Sequence, residues 1–165
     1  MSNKIWEFTG DTEICFGIIL KRIRATVEFK LKCGIVIGKG ELGGWIEEES
    51  NLSGNAWVSG NAMVYGNAEV SGNAWVSGDA EVCGDARVYG NARVKSSEDY
   101  CVYKNTWSSF RWFTYTKSNK MWAVGCFYGT GSELIAKAYK DSEKSGKCYE
   151  AIVKAQEAIE KAMEV

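Results

Sequence analysis

The chain reads as a mainly β protein. Its middle is a short parallel β-solenoid, preceded by a β cap and followed by a β-hairpin and two helices. Two observations predict the solenoid. From Asn55 the sequence runs NAWVSG, NAMVYG, NAEVSG, NAWVSG, DAEVCG, DARVYG, NARV. A fixed six-residue period identifies a repeat architecture ahead of any local propensity. Within each unit the residue types also recur: one aliphatic, one glycine with Asn or Asp after it, and one small residue.

The aliphatic column is Ile46, Leu52, Val58, Val64, Val70, Val76, Val82, Val88 and Val94. A β-branched side chain suits a narrow dry interior. The small column, from Ser50 through Ala56 to Ala92, falls four residues after each aliphatic, where the chain bends close to the axis. The glycines from Gly54 to Gly90 make corners with the Asn or Asp that follows, because both residue types tolerate positive φ. The pattern ends after Val94, where Glu98 takes the small-residue slot.

This pattern resembles the hexapeptide-repeat family, whose members form left-handed parallel β-helices. The resemblance implies three six-residue sides per triangular coil and about three coils here. At one strand spacing per coil, the prism is about 15 Å tall. Residues 18 apart then share an outer face. Trp57, Trp75 and Arg93 form one ladder, Glu69 and Arg87 a second, and Trp45, Met63 and Glu81 the third. Arg93 over Trp75 permits a cation–π contact, and Glu69 beside Arg87 an ion pair. An exposed tryptophan ladder is unusual on a monomer, so cover by a partner or by the terminal segments is expected.

Three segments follow from this reading: a cap over residues 1–45, the repeat over 46–97 and a C-terminal segment over 98–165. In the cap, Ile23, Ala25, Val27, Phe29, Leu31 and Cys33 alternate with polar residues. That period of two predicts a half-buried strand over 21–33. Shorter strands are expected at 5–8 and 14–20, with Gly10-Asp11 as a turn. Gly43-Gly44-Trp45 leads into the first coil, whose open end the cap covers.

Residues 100–132 hold ten aromatics, four cations and no acidic residue. Lys117-Ser118-Asn119-Lys120 reads as a hairpin turn between strands 110–116 and 121–128. Aromatic faces with interleaved cations suit bases and phosphates; they equally suit the core of a small sheet. Gly129-Thr130-Gly131-Ser132 leads into a helix starting near Ser132 or Glu133. Such a turn can hold an anion, or simply be capped by Thr130 or Ser132. The first helix is expected to break at Ser145-Gly146. The second runs to the end, with Tyr149, Ile152, Val153, Ile159 and Met163 on one face.

Composition excludes several classes. Net charge is −1, with 20 basic and 21 acidic residues. Neither half carries the charge of a general nucleic-acid binder. The polar N-terminus and the lack of a long apolar run predict no signal peptide and no membrane span, hence a cytoplasmic location. The six cysteines form no CxxC pair, and the chain has no histidine. Free thiols are expected, and neither a metal nor a cofactor.

The chain also resembles a group of phage and prophage hexapeptide-repeat proteins. The matching stretches are Trp6 to Gly10, Arg22 to Ala25, Gly40 to Glu47, the repeats, and Gly125 to Gly131. Such proteins are commonly labelled acyltransferases on the repeat alone. The family's acyltransferases use a histidine as general base between subunits of a trimer, and none exists here. An unperturbed carboxylate is a poor substitute near neutral pH. The expectation is therefore a non-catalytic binding protein of phage type in an infected or lysogenic bacterial host, a counter-defence or host-modulating factor. Its partner is an anionic nucleotide-like ligand or a host protein, and its assembly a homotrimer or, next, a dimer. A purely structural trimerisation module and an acyl-CoA-dependent acyltransferase are the alternatives. Candidate ligand residues are Trp57, Trp75, Arg87, Arg93, Arg111, Trp112, Lys117, Lys120, Thr130 and Ser132. A host protein would meet an aromatic patch at Trp107, Trp112 and Trp122.

Overall fold

The structure, a computed structural model, describes residues 4–164. The first three residues of the expected cap and the last of the final helix lie outside them. Strands β1 (Trp6–Cys15), β2 (Ile18–Ala25), β3 (Phe29–Lys30), β4 (Val36–Ile37) and β5 (Leu42–Ile46) come first. Seven two-residue strands follow: β6 (Trp57–Val58), β7 (Met63–Val64), β8 (Glu69–Val70), β9 (Trp75–Val76), β10 (Glu81–Val82), β11 (Arg87–Val88) and β12 (Arg93–Val94). Then come β13 (Tyr100–Lys104), β14 (Trp112–Thr116), β15 (Met121–Val124), β16 (Phe127–Thr130), α1 (Gly131–Asp141) and α2 (Glu143–Met163).

The repeat closes as the period requires. Trp57 pairs with Trp75, Trp75 with Arg93, Glu69 with Arg87, and Trp45 with Met63 and then Glu81, all in parallel register. Each step is 18 residues, so β5-β7-β10, β8-β11 and β6-β9-β12 are the three faces. Every valine and alanine of the two inner columns is buried. The corner glycines from Gly54 to Gly90 all have φ between 65° and 73°, which a side chain resists.

One corner departs from the pattern. Ser50 is exposed because Glu49–Asn51 form a 3₁₀ turn. Asn51 turns inward instead. Its Nδ2 donates to the Gly66 and Ala68 carbonyls at 3.0 and 2.8 Å, and its Oδ1 accepts the Glu48 N–H at 2.7 Å. A side-chain amide thus replaces a missing length of backbone ladder.

The top of the solenoid is finished by hydroxyls. In the ladder each outward N–H donates to the coil above, as Trp57 N does to the Ala74 carbonyl at 3.0 Å. The last strand on each face has no coil above it. Ser97, Thr114 and Ser118 supply one hydroxyl acceptor per face, to the N–H groups of Glu81, Arg87 and Arg93 at 3.3, 2.9 and 2.7 Å. One donor of the exposed sheet edge on each face is thereby satisfied from within the chain.

The cap differs from its expected form in two places. Gly10-Asp11 lies inside β1 as a bulge between Phe8 and Thr12, and the turn falls at Phe16-Gly17. The single strand over 21–33 is interrupted after Ala25, leaving Val27 45% exposed while Leu31 is buried. β2 joins β5 antiparallel, so the cap extends a solenoid face. Trp6, Ile23, Leu31 and Ile37 share one core with the valine column.

The C-terminal hairpin is part of a four-stranded antiparallel meander, β13-β14-β15-β16, with the turn at Lys117–Lys120 as expected. Phe113, Tyr115, Trp122, Val124, Leu134 and Val153 form its core against the helices. The helix break lies at Ser142, which ends α1 and caps α2 by accepting the Ser145 N–H at 3.1 Å. Gly146 sits within α2, where a Cβ would meet the Tyr139 ring at 2.2 Å. Close helix contact, not helix termination, accounts for that glycine. On α2 the buried positions are Gly146, Val153 and Gln156, whereas Ile159 and Met163 face outward. Among the described residues, no helix is long and apolar enough to cross a membrane.

Candidate functional site

Two of the expected ligand residues, Trp75 and Arg93, meet in a cleft of about 200 Å³ whose other lining residues are Lys32, Cys33, Asn73 and Asn91. Trp75 is half-buried, its Nε1 donating to Ser59 Oγ at 2.9 Å, which fixes the ring. Asn73 and Asn91 stack at one solenoid corner. The other two corners place Asn61 against Asp79 at 3.1 Å and Asn67 against Asp85 at 3.2 Å. The cleft therefore sits on the corner that carries amides alone. Its lining has two cations, two amides, a thiol and an indole, and no carboxylate.

A second cleft of about 220 Å³ lies where the solenoid meets the meander, and it gathers Arg87, Arg111 and Trp112 with Asn67, Glu69, Asp85 and Gly125. Its two arginines face two carboxylates. Arg87 is already engaged: it donates to the Gly125 carbonyl at 2.8 Å and lies 3.9 Å from Glu69. Its field is close to neutral, which suits an anion less well than the first cleft does.

The remaining candidates are placed otherwise. Trp57 is fully buried, its ring edge-on to Phe29 with centroids 5.6 Å apart. The cap covers it, so it offers no ring face to a ligand. Arg93 stands in register with Trp75, but the cations over aromatic rings are Arg22 at Trp45, Lys104 at Trp112, Lys4 at Trp6 and Lys21 at Phe8. Lys117 and Lys120 flank the β14–β15 turn and line neither cleft. Thr130 caps α1, and the anion place at that helix start is filled by the chain's own Glu133, whose Oε2 accepts the Thr130 N–H at 2.8 Å. That bond and the Thr130 hydroxyl hold Glu133 below the usual carboxylate range. Ser132 is exposed beside it. The expected patch of Trp107, Trp112 and Trp122 does not form, because Trp122 is buried and Trp107 packs on Phe113 and Tyr149.

Sequence reasoning missed Lys32, Cys33, Asn73 and Asn91. The signal for the two amides was present: positions 55, 73 and 91 hold Asn, while the neighbouring columns switch to Asp. Lys32 and Cys33 reach the corner only through the fold of the cap.

Two tyrosines, Tyr89 on the solenoid and Tyr100 on β13, should make stability fall at alkaline pH. Burial, then the hydrogen bond to Glu69, pushes Tyr89 from 10.0 up to about 12. Burial first, then Cys83, does the same to Tyr100. A group whose folded pKa is raised contributes stability that is complete below its unfolded value. Stability should hold up to about pH 10 and fall as pH rises towards 12. Equilibrium unfolding across that range tests it. Tyr89→Phe should flatten the fall, and an unchanged slope in that variant would show that Tyr89 plays no part.

Residues 56–70 match the family model described as the YdcK beta solenoid repeat. Comparison of the whole chain with curated proteins finds no match. With the three-faced ladder, this match describes a β-solenoid repeat protein.

Proposed function

We propose that the protein is a non-catalytic binding protein whose corner cleft takes an anionic, nucleotide-like ligand. The convergence of Lys32 and Arg93 with the Trp75 ring, free of lining carboxylates, carries this reading. Lys32 and Arg93 would meet phosphate oxygens, Trp75 would pack on a base, and Asn73 and Asn91 would bond its edge. No proton transfer is required of the site, and the chain has no histidine to perform one. The same proposal takes the coil as left-handed with about three turns, the assembly as a homotrimer, and the setting as the cytoplasm of a phage-infected host. There the protein would withdraw a nucleotide-derived host signal.

Calorimetric titration with nucleoside phosphates, cyclic oligonucleotides and acyl-CoAs tests the reading. A charge-assisted contact is worth about 1.5–3 kcal/mol. Lys32→Glu with Arg93→Glu should therefore weaken nucleotide binding at least about a hundredfold. Binding of acyl-CoA alone, or nucleotide binding indifferent to the double substitution, would refute it.

One observation favours a host-protein partner as the second reading. The β1–β2 hairpin ends in exposed Ile14 and Phe16, at 73% and 81%, with Ile19 beside them. Phe16 holds φ 50°, a conformation that bulky side chains resist, so turn formation does not explain its presence. Phe16→Asp should abolish co-purification of a host protein without loss of stability; retained capture would end this second reading.

A further inference from the structure

A third cavity, of about 170 Å³, lies between α2 and the meander, apart from both solenoid clefts. One wall is aromatic: Tyr115 and Trp122 with centroids 4.9 Å apart. Opposite them α2 presents Val153, Gln156, Glu157 and Glu160, and Lys120 and Ser132 stand among the remaining lining residues. Gly131 completes the lining because a Cβ there would meet Val153 Cγ1 at 2.7 Å.

Gln156 is the anomaly. It is 1% exposed on a helix whose other positions offered Ile159 and Met163 for burial. Its Oε1 accepts the Tyr103 hydroxyl at 2.6 Å, while its Nε2 has no hydrogen-bond partner among the described residues. A buried amide with half its capacity unused asks for a group that is missing. The Cys101 thiol faces the same amide, but sulfur is a weak acceptor. Glu157 and Glu160 outnumber Lys120 in the lining, so the cavity keeps a negative charge. Burial and the Glu160 carboxylate both raise the Tyr115 phenol, which stays protonated and can donate. An aromatic wall next to carboxylates favours an ammonium group over an anion.

We propose that this cavity binds a compact organic ammonium compound, of amino-acid size, that also carries a hydrogen-bond acceptor. Glu157 and Glu160 take the ammonium against the Tyr115 and Trp122 rings, and the Gln156 amide meets the acceptor. The size agrees with the cavity, and the charge is the opposite of that expected at the Trp75 corner.

Thermal unfolding of the full chain with a panel of free amino acids, ethanolamine and choline, each at about 10 mM, tests the assignment. At least one amine should raise the unfolding midpoint by several degrees. Glu157→Gln with Glu160→Gln, one exposed and one half-buried on α2, should remove the shift while the variant still unfolds in one cooperative transition. Gln156→Met should weaken binding of amino acids at least tenfold and weaken choline less. Lys32→Glu with Arg93→Glu should leave the amine response intact, which separates this site from the corner cleft. No shift with any amine, or a shift that survives the glutamine double variant, would overturn the proposal.

Discussion

Trp57→Ala should destabilise the protein by about 3–5 kcal/mol, the range for truncating a buried large aromatic. Trp57 is outward-facing on its solenoid face yet fully buried, because the cap folds over it. It stands in backbone register with Trp75, and its ring lies edge-on to Phe29. Alanine would leave a cavity at the joint between cap and coil, which rigid neighbouring rungs cannot collapse to fill. Trp57→Phe should cost far less: it keeps most of the packing and removes an indole N–H that is buried without a partner among the described residues. Denaturant unfolding of both variants is the measurement, with limited proteolysis over residues 26–40 as a local readout. A loss under about 1 kcal/mol for Trp57→Ala would mean that the cap does not depend on this residue.

Gly44→Ala should cost about 3 kcal/mol, at the upper end of overpacking losses. Its backbone angles suit any residue, so the penalty is steric. A Cβ would lie 2.6 Å from the Ala62 carbonyl oxygen and 2.7 Å from Val58 Cγ1. That oxygen accepts the Trp45 N–H at 2.9 Å, the bond that opens the β5–β7 ladder. The methyl group must push a backbone acceptor out of the first rung or displace a core valine. Gly84→Ala is the control. Its φ is 66°, and a Cβ there meets nothing within 4 Å. Only backbone strain of about 1–2 kcal/mol remains at that corner. Equal losses at the two positions would show that close approach at Gly44 is not the constraint.

The solenoid was legible because every unit repeats one requirement. A valine must face inward, an alanine must fit the bend, and a glycine must take positive φ, so seven copies reinforce one register. The 18-residue ladders of Trp57, Trp75 and Arg93 and of Glu69 and Arg87 follow from that arithmetic. The turn at Lys117–Lys120 was legible too, since polar residues separate two apolar runs. Single occurrences misled. Gly10-Asp11 has turn chemistry but lies within a strand as a bulge, because β1 pairs with β2 on both sides of it. Ser145-Gly146 looks like a helix break, yet Gly146 is there to admit the Tyr139 ring.

The candidate site was legible only in part. Arg93 and Trp75 share a face by counting, and Arg87, Arg111 and Trp112 were named from charge and aromaticity. Their division between two clefts of different charge depends on which carboxylates stand beside them. Thr130 and Ser132 promised an anion site that Glu133 already occupies.

By itself, then, the sequence determined the period, the inner columns and which residues share a solenoid face, since all three follow from spacing along the chain. Tertiary structure decided that the cap buries Trp57, that Ser97, Thr114 and Ser118 close the top rungs, and that Lys32 joins Trp75 and Arg93 at an acid-free corner. Each of these depends on contacts between segments far apart in the chain, where geometry rather than spacing sets which groups meet.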